Sequence, residues 1–445
     1  MPDFRQVADV VAAQITGGRL RPGDRLPTQR AFARRYGIAD STAARVYAEL
    51  TRRRLVIGEV GRGTFVRAAV PRVGPALAEP AAARIDLELN YPVVDGQSEL
   101  LGAGLARLAR PDVLAAALRP GTASGTAAAR QAVGALLARP GWQPDPGLLL
   151  FGGNGRQMIA AALAALVPAG GRLGVEELTY PLVRALSGRL GITLVPLACD
   201  TDGLLPQALL DAHRAAPLSA VYLQPTLHNP LGTTMPDERR AELAQVLGRT
   251  GVVAVEDSVW SFLRDAPPPL AAYLPEQVVL ADSLSKRLAP GLTLGFTVTP
   301  ARLTVRLTAA LRSAGSTATG YALEAATGWL TDGTAAQIGA AKRADAAARQ
   351  TIAAQALAGL ALRTDPHAYF CWWDLPSPWR ADTFVAAAAR RGIAVTPAAS
   401  FTVGPHRTPD AVRIGLANPS PELLRQALTT LAALARSAPE DEAAR

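Results

Sequence analysis

Lysine is almost missing from this chain. Of 46 basic side chains in 445 residues, only Lys286 and Lys342 are lysines, and every other one is arginine. Arginine supplies charge and hydrogen bonds, but its guanidinium stays protonated and cannot condense with a carbonyl. A chain with this bias keeps lysine where arginine cannot serve. Lys286, within Asp282-Ser-Leu-Ser-Lys-Arg-Leu-Ala-Pro-Gly291, is therefore a candidate covalent anchor for an aldehyde. An isolated Ser-x-Ser-Lys would more simply be a surface lysine after a serine-rich turn, so the weight rests on the remainder of the chain.

Other scarcities exclude further classes. The two cysteines, Cys199 and Cys371, are far apart and have no Cys-x-x-Cys partner, which argues against a disulfide framework and a structural zinc. Four scattered histidines argue against a metal site. No window is apolar for the length of a membrane span, and the first residues, with Asp3, Arg5 and Asp9, lack the apolar core of a secretory signal. A cytoplasmic protein without a membrane partner is expected. Aromatic residues are 5% of a chain that is 49% apolar, the composition of a helix-rich globular protein, and the length predicts two or three domains.

What is abundant is arginine, and it is unevenly placed. Residues 1–67 hold thirteen arginines against six acidic side chains, most of the net charge of +9. Such a field fits either a solvated basic face or a polyanionic partner, of which DNA is the commonest. The local pattern favours DNA. Residues 4–15 repeat apolar residues at helical spacing, Gly17 to Asp24 break the helix, and Pro27 and Thr28 open a second one. After the turn Gly37-Ile-Ala-Asp40, a third helix over 41–52 directs Ala44, Val46, Tyr47 and Leu50 inward. This is a helix-turn-helix whose Ser41, Thr42 and Arg45 would point into a major groove. Residues 55–66 then read as a two-stranded wing that turns through Gly61 and Gly63.

The segment resembles the winged helix of the GntR family of bacterial regulators. The resemblance is carried by Gly23-Asp-Arg-Leu-Pro-Thr-Gln-Arg30, by Ser41-Thr42-x-x-Arg45-x-Tyr47-x-x-Leu50 and by Gly61-Arg-Gly-Thr-Phe-Val66. It implies DNA contacts from Thr28, Arg30, Ser41, Thr42, Arg45 and the wing residues Arg62 and Gly63. Arginine would bind phosphate or guanine, and the hydroxyls and helix start would hold phosphates. Residues 68–84 are rich in alanine and proline without periodicity and read as a linker.

From residue 85 onward a strand-like alternation gives way to short apolar runs alternating with helical stretches. This is an α/β pattern, a mainly parallel sheet with helices on both faces. Candidate strands are 148–151, 172–175, 220–223, 252–255, 278–280 and 292–298. Ligands of such sheets collect at the carboxyl ends of the strands. There the chain places Gly152-Gly-Asn-Gly-Arg-Gln-Met158, a glycine turn feeding a helix start and so an anion site. Tyr180 can cover a planar group or simply pack. Asn229 sits in the proline-fixed turn Gln224-Pro-Thr-Leu-His-Asn-Pro-Leu-Gly232, and a carboxylate at Asp257 can hold a pyridine nitrogen protonated.

These elements, in this order, resemble the fold-type I aminotransferases over roughly residues 85 to 435. The resemblance implies pyridoxal phosphate bound as an aldimine to Lys286, Asp257 on the pyridine nitrogen, Asn229 donating to the ring hydroxyl and Tyr180 stacked on the ring. Gly155, Arg156, Gln157, Ser283, Ser285 and Arg287 would surround the phosphate. Arg413, in Ala411-Val-Arg-Ile-Gly-Leu-Ala417, would grip an effector carboxylate. The chain departs from the family pattern at Thr293, where an arginine phosphate clamp is usual. It departs again at Val259 and Trp260 in place of a tyrosine, and in lacking the tyrosine usual ahead of Gly125. Arg156 and Arg287 are the candidates to replace the clamp.

Winged helix (1–67), linker (68–84) and aminotransferase-like domain (85–445, with a small α+β subdomain at about 310–435) follow in the order of the MocR group of GntR regulators. The resemblance implies a head-to-tail homodimer on double-stranded DNA whose large domain senses an amine, an amino acid or the cofactor itself. Two other readings stay open: an aminotransferase with turnover, in full or as a residual half-reaction, and a regulator whose large domain has lost the cofactor and only dimerises.

Overall fold

A computed structural model of the chain describes residues 4–16, 19–20, 24–52, 55–59, 63–66, 83–118, 121–404 and 408–439. Its first helices are Phe4–Thr16, Gln29–Tyr36 and Asp40–Arg52. Thr28 starts the second, its hydroxyl accepting from the Ala31 amide at 3.3 Å, and Gly37 ends it at φ +62°, where a side chain would be strained. The third helix buries Ala43, Val46, Tyr47 and Leu50. The apolar pattern assigned Ala44 to that face, but Ala44 lies at its margin, half-buried, because neighbouring alanines leave the helical phase open by one residue. The Tyr47 hydroxyl donates to the Pro27 carbonyl, which ties this helix to the start of the second.

Strands Val56–Glu59 and Gly63–Val66 pair antiparallel as expected, but Arg25–Leu26 pairs with Gly63–Val66 as well. The wing is thus part of a three-stranded sheet, and its third strand, two residues long, was too short to show a period in the sequence. Gly61 and Arg62, read as wing residues, and residues 68–82 of the linker lie outside the described residues.

The seven-stranded sheet runs in the order Leu149–Gly152, Gly295–Val298, Val278–Ser283, Val253–Asp257, Ala220–Leu223, Arg172–Glu176, Thr193–Leu197. Only Gly295–Val298 is antiparallel to its neighbours. The inner strands are continuously apolar and buried because helices cover both faces. One face packs against Val133, Leu209, Leu243 and Leu323, the other against Met158, Leu163, Val183 and Leu307. The expected run 292–298 becomes a strand only at Gly295. The edge strand Thr193–Leu197 was not foreseen, since it is half-exposed and contains Pro196, which an edge tolerates.

A second, antiparallel sheet orders Leu362–Thr364, Phe370–Asp374, Ala411–Gly415 and Thr396–Pro397. It packs against the helices Thr334–Ala356, Ala381–Arg390 and Pro421–Arg436. The alternation expected after residue 85 yields only Ile85–Asp86 as strand, parallel to Ile393–Ala394. Among the described residues no helix is long and apolar enough to cross a membrane.

Because the parallel strands end at one edge, Glu176, Gln224, Asp257 and Ser283 are brought together there. The loop carrying Gln224 and Asn229 is pinned from behind by Arg240, only 1% exposed. Its guanidinium donates to the carbonyls of Met235 (3.0 Å), Pro225 (2.9 Å) and Pro268 (3.1 Å) and to the Thr226 hydroxyl (2.8 Å), and lies 3.9 Å from buried Glu256. Arg240→Ala strips a buried carboxylate and three carbonyls of their partner, so unfolding free energy in urea should fall by about 3–5 kcal/mol. A loss under about 1 kcal/mol would contradict the clamp.

Candidate functional site

A cavity of about 250 Å³ opens at the carboxyl edge of the main sheet. The Val278–Ser283 strand leads into a four-residue helix, Leu284–Arg287, which delivers Lys286 into that cavity. The Lys286 Nζ donates to the Asn90 carbonyl and stands 4.4 Å from the centre of the Tyr91 ring and 5.2 Å from that of Trp260. Burial pulls the pKa of the amine down to about 7, helped by the positive charges of Arg156, Arg413 and Lys342 and opposed by Asp257. Near neutral pH a large share of Lys286 is therefore an uncharged, nucleophilic amine.

Asp257 lies on the cavity floor at the end of the neighbouring strand. Its Oδ2 accepts from the Tyr222 hydroxyl at 2.7 Å and from Gln224 Nε2 at 2.9 Å, and its Oδ1 from the Val259 amide at 3.1 Å. Burial raises its pKa to about 6, with those hydrogen bonds opposing the rise. Above about pH 7 the site thus combines a carboxylate with a neutral amine. Tyr222 and Gln224 were not singled out from the sequence. The available signal was a polar residue closing the apolar run Ala220–Leu223, two positions from Tyr222 and so on the same sheet face.

One end of the cavity is built for an anion. Asn154 caps the helix Gly155–Leu166, its side chain accepting from the Gln157 amide at 3.0 Å. A Cβ on Gly155 would stand 2.9 Å from Ser283 Oγ, so only glycine allows the helix start to close on the serine. Arg156, Ser283 and Ser285 line this end. The phenol of Tyr180, seconded by Tyr91, favours the charged form of Arg156 against the cost of burial. Thr293, where the clamp arginine was missed, has its hydroxyl 2.7 Å from that of Ser285 and so holds the serine.

Two expected members do not line the cavity. Gln157 folds against Gly153, and Arg287 pairs with Asp282 at 2.7 Å with its guanidinium 5.1 Å from the Phe262 ring. The reason is helical geometry. A residue adjacent to a cavity residue on a helix is turned from it by about 100°, and Arg287, turned out of the cavity, is held instead by the carboxylate of Asp282.

Across the cavity, Arg413 is buried in the strand Ala411–Gly415. Its guanidinium donates to the Glu88 carbonyl, to Thr396 Oγ1 at 3.1 Å and to Asn229 Oδ1 at 3.4 Å, and lies 5.5 Å from the Phe401 ring. Its Nε is buried without a hydrogen-bond partner, a donor left over beside the cavity. Tyr180 lines the wall at the start of the helix Pro181–Leu190. Asn90, Tyr91 and Thr396 were missed because they come from remote segments whose sequence carries no motif.

In the winged helix, Arg30, Ser41 and Arg45 are exposed and Thr42 is partly so. The Arg45 guanidinium rests 4.1 Å from the centre of the Phe4 ring. The Thr28 hydroxyl already serves as the helix cap. Gly63, at φ +120°, lies so close beneath the Arg25 side chain that a Cβ would meet Arg25 Nε at 2.7 Å.

The family model of aminotransferase class I and II matches residues 115–431, and that of the bacterial regulatory proteins of the gntR family matches residues 4–66. The HTH-type transcriptional regulator YdeF of Bacillus subtilis is 28% identical over 433 residues, 97% of this chain and 94% of that one. The HTH-type transcriptional regulator TauR of Rhodobacter capsulatus is 29% identical over 330 residues, 66% of this chain and 67% of its own. Among solved structures, the α-aminoadipate aminotransferase LysN of Thermus thermophilus, complexed with N-(5'-phosphopyridoxyl)-L-leucine, superposes with a TM-score of 0.71 at 20% identity, covering 79% of this chain and 92% of that one. The chain therefore belongs to the aminotransferase class I and II family and carries a gntR-family helix-turn-helix ahead of it, the architecture of the MocR-type transcriptional regulators.

Proposed function

We propose that residues 1–67 bind double-stranded DNA and that residues 85–445 hold pyridoxal phosphate at Lys286 and sense an amine or amino acid there. The two parts would be joined by residues 68–84, and the regulator would work as a head-to-tail homodimer in the cytoplasm. The observation that carries this reading is the buried amine of Lys286, with its lowered pKa, sharing a cavity with the hydrogen-bonded carboxylate of Asp257 and a capped helix start.

The residues present fit the cofactor. Asp257 would accept from a protonated pyridine nitrogen. The Gly155 amide, Ser283, Ser285 and Arg156 would bind the phosphate, the last in place of the clamp arginine. Tyr180 would cover one ring face, Asn229 would bond the ring hydroxyl, and Tyr91 and Trp260 would keep water from Lys286. When bound, the cofactor supplies an electrophilic carbon to which an amine attaches reversibly. The Arg413 fork, with its spare Nε donor, suits the carboxylate of an amino-acid effector. A large domain that only dimerises would not need to retain so complete a cradle. Steady-state conversion of amino and keto acids would instead make the protein an enzyme.

Three measurements test this reading. The purified protein, incubated with pyridoxal phosphate and reduced with borohydride, should carry a phosphopyridoxyl adduct on the Lys286 peptide. The yield should fall as pH drops through about 7 and the amine gains its proton. No adduct at neutral pH would overturn the cofactor assignment. Arg156→Ala should weaken the cofactor about ten- to a hundredfold, the worth of a charge-assisted phosphate contact; unchanged affinity in a spectroscopic titration removes Arg156 from the clamp. On the protein's own upstream DNA, Arg30→Ala and Arg45→Ala should each lower the slope of log affinity against log salt by about one. A slope identical to that of the unmodified protein would take these side chains off the phosphates.

A further inference from the structure

The only two lysines of the chain meet in space. Lys342, on the helix Thr334–Ala356, is fully buried. Its Nζ donates to the carbonyl of Lys286 at 3.0 Å and to that of Leu288, which also accepts from Gln97 Nε2 at 3.1 Å. These carbonyls lie at the end of the short helix that presents Lys286. A helix end leaves carbonyls without amide partners and favours a positive charge beside them. Leu288 leaves helical geometry, with ψ −95°; its amide still closes the turn on the Leu284 carbonyl at 2.7 Å, but at the carbonyl end Lys342 bonds the Lys286 carbonyl and, with Gln97, that of Leu288. An ammonium is compact and carries three donors, so it can stand on two carbonyls at once; a planar guanidinium needs more room and fixed angles.

The helix behind it is a firm platform. Arg349 Nη1 donates to the carbonyls of Leu416 and Pro419, both at 2.7 Å, and Gln350 Nε2 to those of Ala368 (2.6 Å) and Phe370 (3.1 Å). The Tyr369 hydroxyl donates at 2.8 Å to the carbonyl of Lys342 itself and lies equally near Asp345 Oδ2.

We propose that Lys342 is a positioning residue for Lys286: standing on that platform, it fixes the carbonyl end of the turn that carries the reactive amine and so sets where the amine lies in the cavity. The proposal rests on reading Lys286 as the covalent anchor. It accounts for both exceptions to the arginine bias, one lysine serving as nucleophile and the other as the support beneath it.

The charged groups facing Lys286 are Arg156, Arg413, Lys342 and Asp257, and Lys342 itself faces Asp345. The test uses the full chain and trace acetic anhydride, which reads each amine against pH without the cofactor, together with hydrogen exchange of amides 284–288. Burial lowers the Lys342 amine to about 7 as well, with Asp345 opposing, so its charge is partly present where Lys286 titrates, and Lys342→Met should raise the midpoint of Lys286 labelling by roughly 0.5 pH unit. It should also speed exchange in 284–288 about tenfold or more. Lys342→Arg should return the midpoint towards that of the unmodified protein but not the protection, since it restores charge and not fit. A Met variant with both properties unchanged overturns the proposal. Should that variant fail to fold, the Arg variant decides alone, and full protection of 284–288 in it is the overturning result. If the unmodified protein takes no pyridoxal phosphate yet Lys342→Met still shifts anhydride labelling, the functional reading falls and the positioning role stands.

Discussion

An ammonium taken out of water must find a partner or give up its proton, and the site around Lys286 is arranged around that requirement. The amine is buried, no carboxylate among the described residues bonds it directly, and it faces Arg156, Arg413 and Lys342, the last itself lowered by burial to about 7. The environment therefore favours the neutral form. The adjoining strand end does the reverse to Asp257, which is buried as deeply but surrounded by donors, so it keeps its charge at neutral pH although burial raises its pKa. Perturbed groups that share a cavity are the pattern found where chemistry is done, and Lys286 and Asp257 are such a pair.

The parallel sheet makes that pairing possible. Its strands end together, so Lys286 and Asp257 arrive from adjacent strands, Asn229 from the next, and the helix start at Gly155 from beyond the antiparallel strand. The second sheet adds Arg413 from the opposite wall. Departures from the family pattern are absorbed locally. Thr293 does not reach for the anion but holds the serine that lines its site, and Arg156 stands at a helix start that already favours negative charge.

How far the site was legible depended on where each residue stood relative to a strand end. Asp257, Asn229 and the segment from Ser283 to Lys286 follow apolar runs, and the rule that ligands gather at strand ends drew attention to them, whereas Arg413 sits mid-strand and was nominated by the resemblance alone. Tyr222 and Gln224 flank such an end but carry no motif. Gln157 and Arg287 were nominated by adjacency in sequence, and helical rotation turned them away. Ala43 displaced Ala44 for a related reason, since a run of alanines does not declare its phase.

The sequence by itself determined the order of the two functional parts, the alternation that makes a parallel sheet, and the scarcity of lysine that singled out Lys286. These are local or compositional properties, set by backbone propensity and side-chain chemistry within a few residues. Tertiary structure alone decided what surrounds each group. Asn90 reaches Lys286 across 196 positions, Asn229 reaches Arg413 across 184, and Lys342 reaches the Lys286 carbonyl across 56. Contacts of that range arise only when the sheet and its covering helices close on one another, and the burial that shifts Lys286 and Asp257 exists only then.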